Sequence, residues 1–185
     1  MGNPPEIMET ERLLLRPPMI GDADMIFARY AQDSEVTKYL IWRPHKDGSE
    51  TRAFVERCIR GWKEGSRFPW VVVRKEDQAV IGMIELRIKG GEADLGYVLA
   101  REVWGQGYAT EMAKVVVSWA LEQEEISRVW ATCDCDNLAS ARVLEKAGLK
   151  FEKVLKGYIV HPNISEDLRD SFLFSISKGM NLRLE

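Results

Sequence analysis

"LGYVLAREVWGQGYATE", residues 95–111, changes character twice. Its opening residues read as a strand. Two glycines, Gly105 and Gly107, then flank Gln106. From Ala109 onward, Met112, Ala113, Val116, Val117, Ala120 and Leu121 recur at helical spacing. A chain that enters a helix this way presents unpaired N–H groups and partial positive charge at the helix mouth, a seat for phosphate. Glycines there omit Cβ atoms and let oxygens approach the backbone. Two readings stand side by side: a cradle for a pyrophosphate-bearing ligand, or a glycine turn needed only for packing.

Upstream, "FPWVVVRK" (68–75), "AVIGMIELRIK" (79–89) and "ADLGYVLA" (93–100) read as three strands. The joints "EDQ" and "GGE" are short enough for antiparallel hairpins. Downstream, "SRVWATC" (127–133) is a strand reached through the helix, so it should pair parallel by a right-handed crossover. "NLASARVLEKAG" (137–148) is a helix with Asp136 or Asn137 as cap, and "LKFEKVLKGYIV" (149–160) and "DSFLFSISK" (170–178) are two last strands around the loop 161–168. At the start, "RLLLRP" (12–17) is a strand closed by Pro17–Pro18. "GDADMIFARYAQD" (21–33) is a helix with Asp22 as N-cap, and "SEVTKYLIWRPHKDGS" is a short helix running into a loop. Phe54, Val55, Cys58, Ile59 and Trp62 mark another helix, followed by Gly65. The order predicts an α/β fold of the α+β type. About four helices flank a mostly antiparallel sheet of about seven strands with one parallel pair at its middle. One domain spans 1–185, with its core at about 8–179.

The balance of 26 basic against 29 acidic residues gives no surplus charge to attract nucleic acid. No apolar run is long enough to span a membrane, and the polar N-terminal "MGNPPEIMETER" does not resemble a signal peptide. The chain therefore reads as cytoplasmic. Three cysteines fit a reducing compartment, and the Cys133-x-Cys135 pair lacks further ligands, so no metal is expected.

A Walker loop is absent. A dinucleotide fingerprint would need glycine at 110, where Thr110 stands; Asp134 and Asp136 lie where a ribose-binding acid would be sought. Against that reading, the motif follows an antiparallel meander, and too little chain remains for a doubly wound sheet.

Residues Trp104-Gly105-Gln106-Gly107-Tyr108-Ala109 resemble motif A of the GNAT N-acetyltransferases, [QR]-x-x-G-x-[GA], with Trp104 departing at the Gln/Arg position. That departure is itself the "W-G-x-G-Y-A-T-E" form of the RimJ/RimL-like branch, whose best-known members acetylate N-termini of ribosomal proteins. "ETERLLLRP" is similar to the opening strand of the branch, "VTKYLIWRPH" (36–45) to its substrate-side segment, and "NLASARVLEKAGLKFE" (137–152) to motif B. The resemblance runs nearly the whole chain. It implies a GNAT fold whose central parallel pair is splayed, and acetyl-CoA as cofactor. Backbone N–H groups from Gln106 through Tyr108 and Ala109 to Thr110 would hold the pyrophosphate. The strand edge at Val98, Leu99 and Ala100 would pair with the pantetheine amides. Asn137 would meet the pantetheine arm, cap its helix, or do both.

By the same resemblance, an amine attacks the thioester, the N–H near Leu99 faces the developing oxyanion, and the leaving thiolate needs a proton or a donor. The motif B tyrosine that often serves the thiolate is replaced by Leu144, and Ser140 is the nearest hydroxyl. Ser140 is therefore the candidate acid, or simply a serine near a helix start. Asp94 is the first candidate base and Glu85 the second, although Asp94 also reads as a surface charge at a strand end. Tyr39, Trp42, Arg43 and His45 would line one side of an acceptor groove, and Tyr158 with the loop 161–168 the other. A lone histidine such as His45 is more often a structural loop residue. Glu166, Asp167 and Asp170 would favour a cationic acceptor or simply be solvated. The expected partners are acetyl-CoA and a primary amine, with the chain a monomer or homodimer. The alternative function is a non-catalytic acyl-CoA-binding sensor, for which the missing tyrosine at 144 is the supporting feature.

Overall fold

The computed structural model describes residues 3–65 and 67–179. Eight strands form one sheet in the order β1-β2-β3-β4-β5-β6-β8-β7. They are β1 (Met8–Glu9), β2 (Leu13–Arg16), β3 (Phe68–Arg74), β4 (Ala79–Lys89), β5 (Glu92–Leu99), β6 (Arg128–Asp134), β7 (Lys150–Val160) and β8 (Leu168–Ser177). The extra strand beyond the expected seven is β1. It is two residues long, too short to carry an alternation. Every pairing is antiparallel except β5 with β6.

The five α-helices are α1 (Ala23–Ile26), α2 (Ser34–Thr37), α3 (Gly48–Glu64), α4 (Tyr108–Glu122) and α5 (Leu138–Lys146). The long helix expected over 21–33 is instead a 3-10 turn at Ile20–Asp22, then α1, then a π-turn at Phe27–Ala31. Asp22 does not cap α1 as expected. Its carboxylate accepts from Met19 N–H at 2.7 Å and from both terminal nitrogens of Arg16, which buries it beside β2.

Helices cover both faces of the sheet. α3 buries Val55, Cys58 and Trp62 against one face, with Trp62 edge-on to Trp70 of β3. α4 buries Met112, Ala113, Val116, Val117 and Ala120 against the other, beside α5. β3 as far as Val73 and the first half of β4 are buried, as strands covered on both faces must be. The last strand, β8, lies between β6 and β7, so the free edge at that end is β7 and not the C-terminal strand.

One register detail positions the site. β5 and β6 pair only at Glu92–Arg128, Ala93–Val129 and Asp94–Trp130. Beyond Asp94 they separate, while β5 stays paired to β4 as far as Leu99. The expected parallel pair is thus a fork, closed at Asp94 and open toward Leu99 and Asp134.

Candidate active site

At the mouth of the fork, Gly105 and Gly107 adopt φ of +75° and +84°, the left-handed region that glycine tolerates. Gly107 is the N-cap of α4. A Cβ added at Gly105 would project into open space. Arg12 braces this loop from below: it donates to Gln106 O at 3.0 Å, stacks over the Tyr108 ring at 4.2 Å, and pairs with Glu111. The only acid in the first turn of α4 is therefore held on Arg12 and Thr10, leaving the helix end positive. Trp104 explains its own place. Its indole donates to Leu99 O at 2.9 Å and ties the loop to the end of β5.

Ala100 N–H donates to Ile81 O at 2.8 Å, toward β4. It is not free for a ligand, contrary to the expectation for Val98–Ala100 as a block. By strand alternation the Leu99 N–H points into the fork. Gly82 lets β4 approach the end of β5 closely: a Cβ there would fall 2.3 Å from Val98 O and 2.4 Å from Leu99 Cδ2. The open space beside Gly105 and the splayed fork leave backbone accessible where the pyrophosphate and pantetheine of the expected cofactor would lie.

A cavity of about 290 Å³ runs through the fork. On the α5 side, Tyr97 and Ser140 share a hydrogen bond of 2.8 Å. Burial raises the Tyr97 phenol well above its ordinary value, against a smaller lowering by Ser140, so the phenol stays protonated. Asn137 caps α5, accepting from Ser140 N–H at 3.1 Å, and also lines the cavity. Tyr97 was missed in the sequence because it alternates with Leu95 and Leu99, as an ordinary core aromatic does. Its partner Ser140 lies more than forty residues away, so no local pattern joins them.

On the opposite side, Glu85, Arg87 and Asp94 project together. Glu85 accepts from Arg67 at 2.5 and 2.8 Å and from Arg87 at 3.1 Å. Asp94 accepts from Arg87 at 2.8 and 2.5 Å. Burial pushes the Asp94 carboxyl upward, and the Arg87 guanidinium offsets only part of that. Asp134, at the open end of β6, is also pushed upward by burial. The Arg169 fork, Asp136 N–H and His161 together outweigh this and hold it below the usual carboxylate range. Asp134 is thus buried and engaged, which together with the antiparallel sheet removes the dinucleotide reading.

Tyr39 and Trp42 line the cavity; His45 and Tyr158 do not. His45 Nδ1 lies 2.7 Å from Thr51 Oγ1, which places it behind the wall, and burial lowers its pKa. Tyr158 is on the exposed edge strand β7. The two banks expected across a groove are stitched together. Asn163 donates to Thr37 O and Trp42 O, Arg43 donates to Pro162 O, and Arg43 pairs with Glu166. Asp170 is likewise paired, with Lys156. Burial raises the Cys58 and Cys133 thiols to about 12, which keeps both protonated.

An open glycine turn at a helix mouth and a strand edge leading into a splayed parallel pair form the arrangement expected of an acyl-CoA-dependent acyltransferase. The family model of the acetyltransferase (GNAT) domain matches residues 12–150. The uncharacterized N-acetyltransferase p20 of Bacillus licheniformis is 30% identical over 176 residues, covering 94% of this chain and 97% of that protein. The microcin C7 self-immunity acetyltransferase MccE, solved with acetyl-CoA and AMP, superposes with a TM-score of 0.82 at 18% identity, over 91% and 93% of the two chains. RimL, a ribosomal L7/L12 α-N-protein acetyltransferase solved with coenzyme A, gives 0.81 at 19%, over 95% and 100%. The chain belongs to the GNAT acetyltransferase family.

Proposed function

We propose that the chain moves acetyl directly from acetyl-CoA to a primary amine, the amine being a peptide or protein N-terminus or a small molecule. The observation that carries this reading is the fork. It lets the α4–α5 face and the α3 face of the sheet meet through one cavity, so donor and acceptor approach from opposite sides. Bound acetyl-CoA supplies an activated acyl group as a thioester. The chain does the rest. The α4 N-terminus and Gly105–Gly107 would hold the pyrophosphate, and the Leu99 N–H faces the carbonyl oxygen as charge develops there. The Tyr97–Ser140 pair presents a hydroxyl to the leaving sulfur.

Glu85 and Asp94, with Arg67 and Arg87, give the acceptor side a fixed pattern of charge suited to orienting an ammonium. Tyr39 and Trp42 supply the apolar wall beside it. Cytoplasmic residence fits the absence, among the described residues, of a helix able to cross a membrane. The named activity of RimL supports a peptide N-terminus as acceptor. Direct transfer is favoured because the cavity's two cysteines, Cys58 and Cys133, are held protonated and so are poor acyl carriers. Initial rates with both substrates varied should give intersecting lines. Parallel lines would mean an acyl-enzyme.

A further inference from the structure

His161 directly follows β7. The residue is 5% exposed, and neither ring nitrogen has a hydrogen-bond partner. It lines the same cavity as Tyr39, Trp42 and Asp94. Two other buried hydroxyls of that lining, Tyr30 Oη and Ser171 Oγ, also lack partners. Buried polar atoms are ordinarily satisfied. Three such groups around one cavity point to a polar occupant on the acceptor side.

The charges around His161 are ordered. From β6, Asp134 Oδ2 lies 3.7 Å from His161 Nε2. From β8, Arg169 grips Asp134 at 2.6 and 3.1 Å and also reaches Asp136. The His161 carbonyl accepts from Ile164 and Ser165 N–H, which fixes the backbone that carries the ring. Glu166, in the same loop, is paired with Arg43. Nε2 is thus the ring nitrogen that faces the carboxylate, the arrangement of other imidazole–carboxylate pairs.

Position separates His161 from the carboxylates. Asp94 is at the closed end of the fork, five residues from Leu99, or roughly 16 Å along a strand rising about 3.3 Å per residue. Asp134 is four residues beyond Trp130, the partner of Asp94, and so lies toward the open end of the fork. Asp94 and Glu85 are also ion-paired to arginines, whereas both ring nitrogens of His161 lack a hydrogen-bond partner.

We propose that His161, oriented by Asp134, is the proton acceptor for the incoming amine; this rests on the N-acetyltransferase reading. The acceptor ammonium gives one proton to the imidazole. Its freed lone pair forms the C–N bond as the C–S bond breaks. The second nitrogen proton leaves for the sulfur by way of Ser140, and the imidazolium returns its proton to water. The products are one amide, one thiol and one proton.

The test uses the full chain, acetyl-CoA and whichever amine of a panel is turned over. His161→Ala should lower kcat by about 100-fold, the low end of a general-base contribution. Its acetyl-CoA dissociation constant should stay within twofold of the unmodified chain, which also reports folding, and His161→Gln should behave alike. Added imidazole should restore at least tenfold of the rate of His161→Ala. Asp94→Asn should keep the acid limb of the pH–rate profile. In the unmodified chain, carbethoxylation of His161 by diethyl pyrocarbonate, read by mass spectrometry, should be slowed by the amine. A His161→Ala rate within twofold of the unmodified chain, failure of imidazole to restore any rate, no protection by the amine, or loss of the acid limb in Asp94→Asn would overturn the proposal. Lack of turnover in the unmodified chain would count instead against the N-acetyltransferase reading.

Discussion

The Tyr97 hydroxyl lies 2.8 Å from Ser140 Oγ, joining the free edge of β5 to the first turn of α5 across the fork. In the proposed mechanism this pair supplies what Leu144 cannot. A serine alone is a weak acid; a serine backed by a protonated phenol is one end of a donor chain. Ser140→Ala and Tyr97→Phe should each lower kcat by about tenfold or more while changing acetyl-CoA affinity little. The double variant should cost less than the product of the two, because both act through one chain. Steady-state kinetics with a calorimetric dissociation constant separates the two effects.

Gly107→Val should weaken acetyl-CoA binding at least tenfold, about 1.4 kcal/mol. The new side chain enters at φ +84°, and its Cβ also approaches Arg12 Nη2 at 3.5 Å. Calorimetric titration with coenzyme A checks this. An unchanged dissociation constant would remove the glycine loop from the cofactor site.

Gly82→Ala tests the site from behind. Gly82 should touch no ligand, yet its Cβ would sit 2.3 Å from Val98 O. Overpacking of this kind costs about 1–3 kcal/mol. Relief requires the end of β5 to move into the fork. The variant should lose both melting temperature and acetyl-CoA affinity, as read by thermal unfolding with and without coenzyme A.

The Asp134–Arg169 pair predicts a pH dependence. The folded pKa of Asp134 is depressed, so its stabilisation is present above the unfolded value of about 3.9 and is lost as pH falls through the folded one. Arg169→Met should therefore melt lower than the unmodified chain at pH 7, by about 4 °C or more for a chain of this size. The gap should begin to narrow below about pH 4 and close as pH falls through the lower folded value. A gap of constant size across that range would contradict the assignment.

Much of the architecture was readable because it is periodic. The β3–β4–β5 meander, the crossover through α4 and the Gly105–Gly107 mouth each announce themselves locally. β1 did not, being too short to alternate. The π-turn at Phe27–Ala31 did not, because apolar spacing there suits an unbroken helix. The site was harder to read. Trp104 was legible as a motif residue, but its bond to Leu99 O was not. Asp94 and Glu85 read as free carboxylates, because Arg67 and Arg87 meet them only when β3, β4 and β5 align. Tyr97 and His161 gain their meaning from Ser140 and Asp134, partners distant in sequence. His45 and Tyr158 were placed by proximity to an aromatic cluster and a loop, and burial and strand direction put them elsewhere.

The most direct measurement is release of free thiol from acetyl-CoA across a panel of peptides and small amines, with products identified by mass spectrometry. Amine-dependent thiol release with an N-acetylated product is the predicted result. Tight binding of acetyl-CoA with no thiol released on any amine would contradict the account and leave a chain that only senses its cofactor.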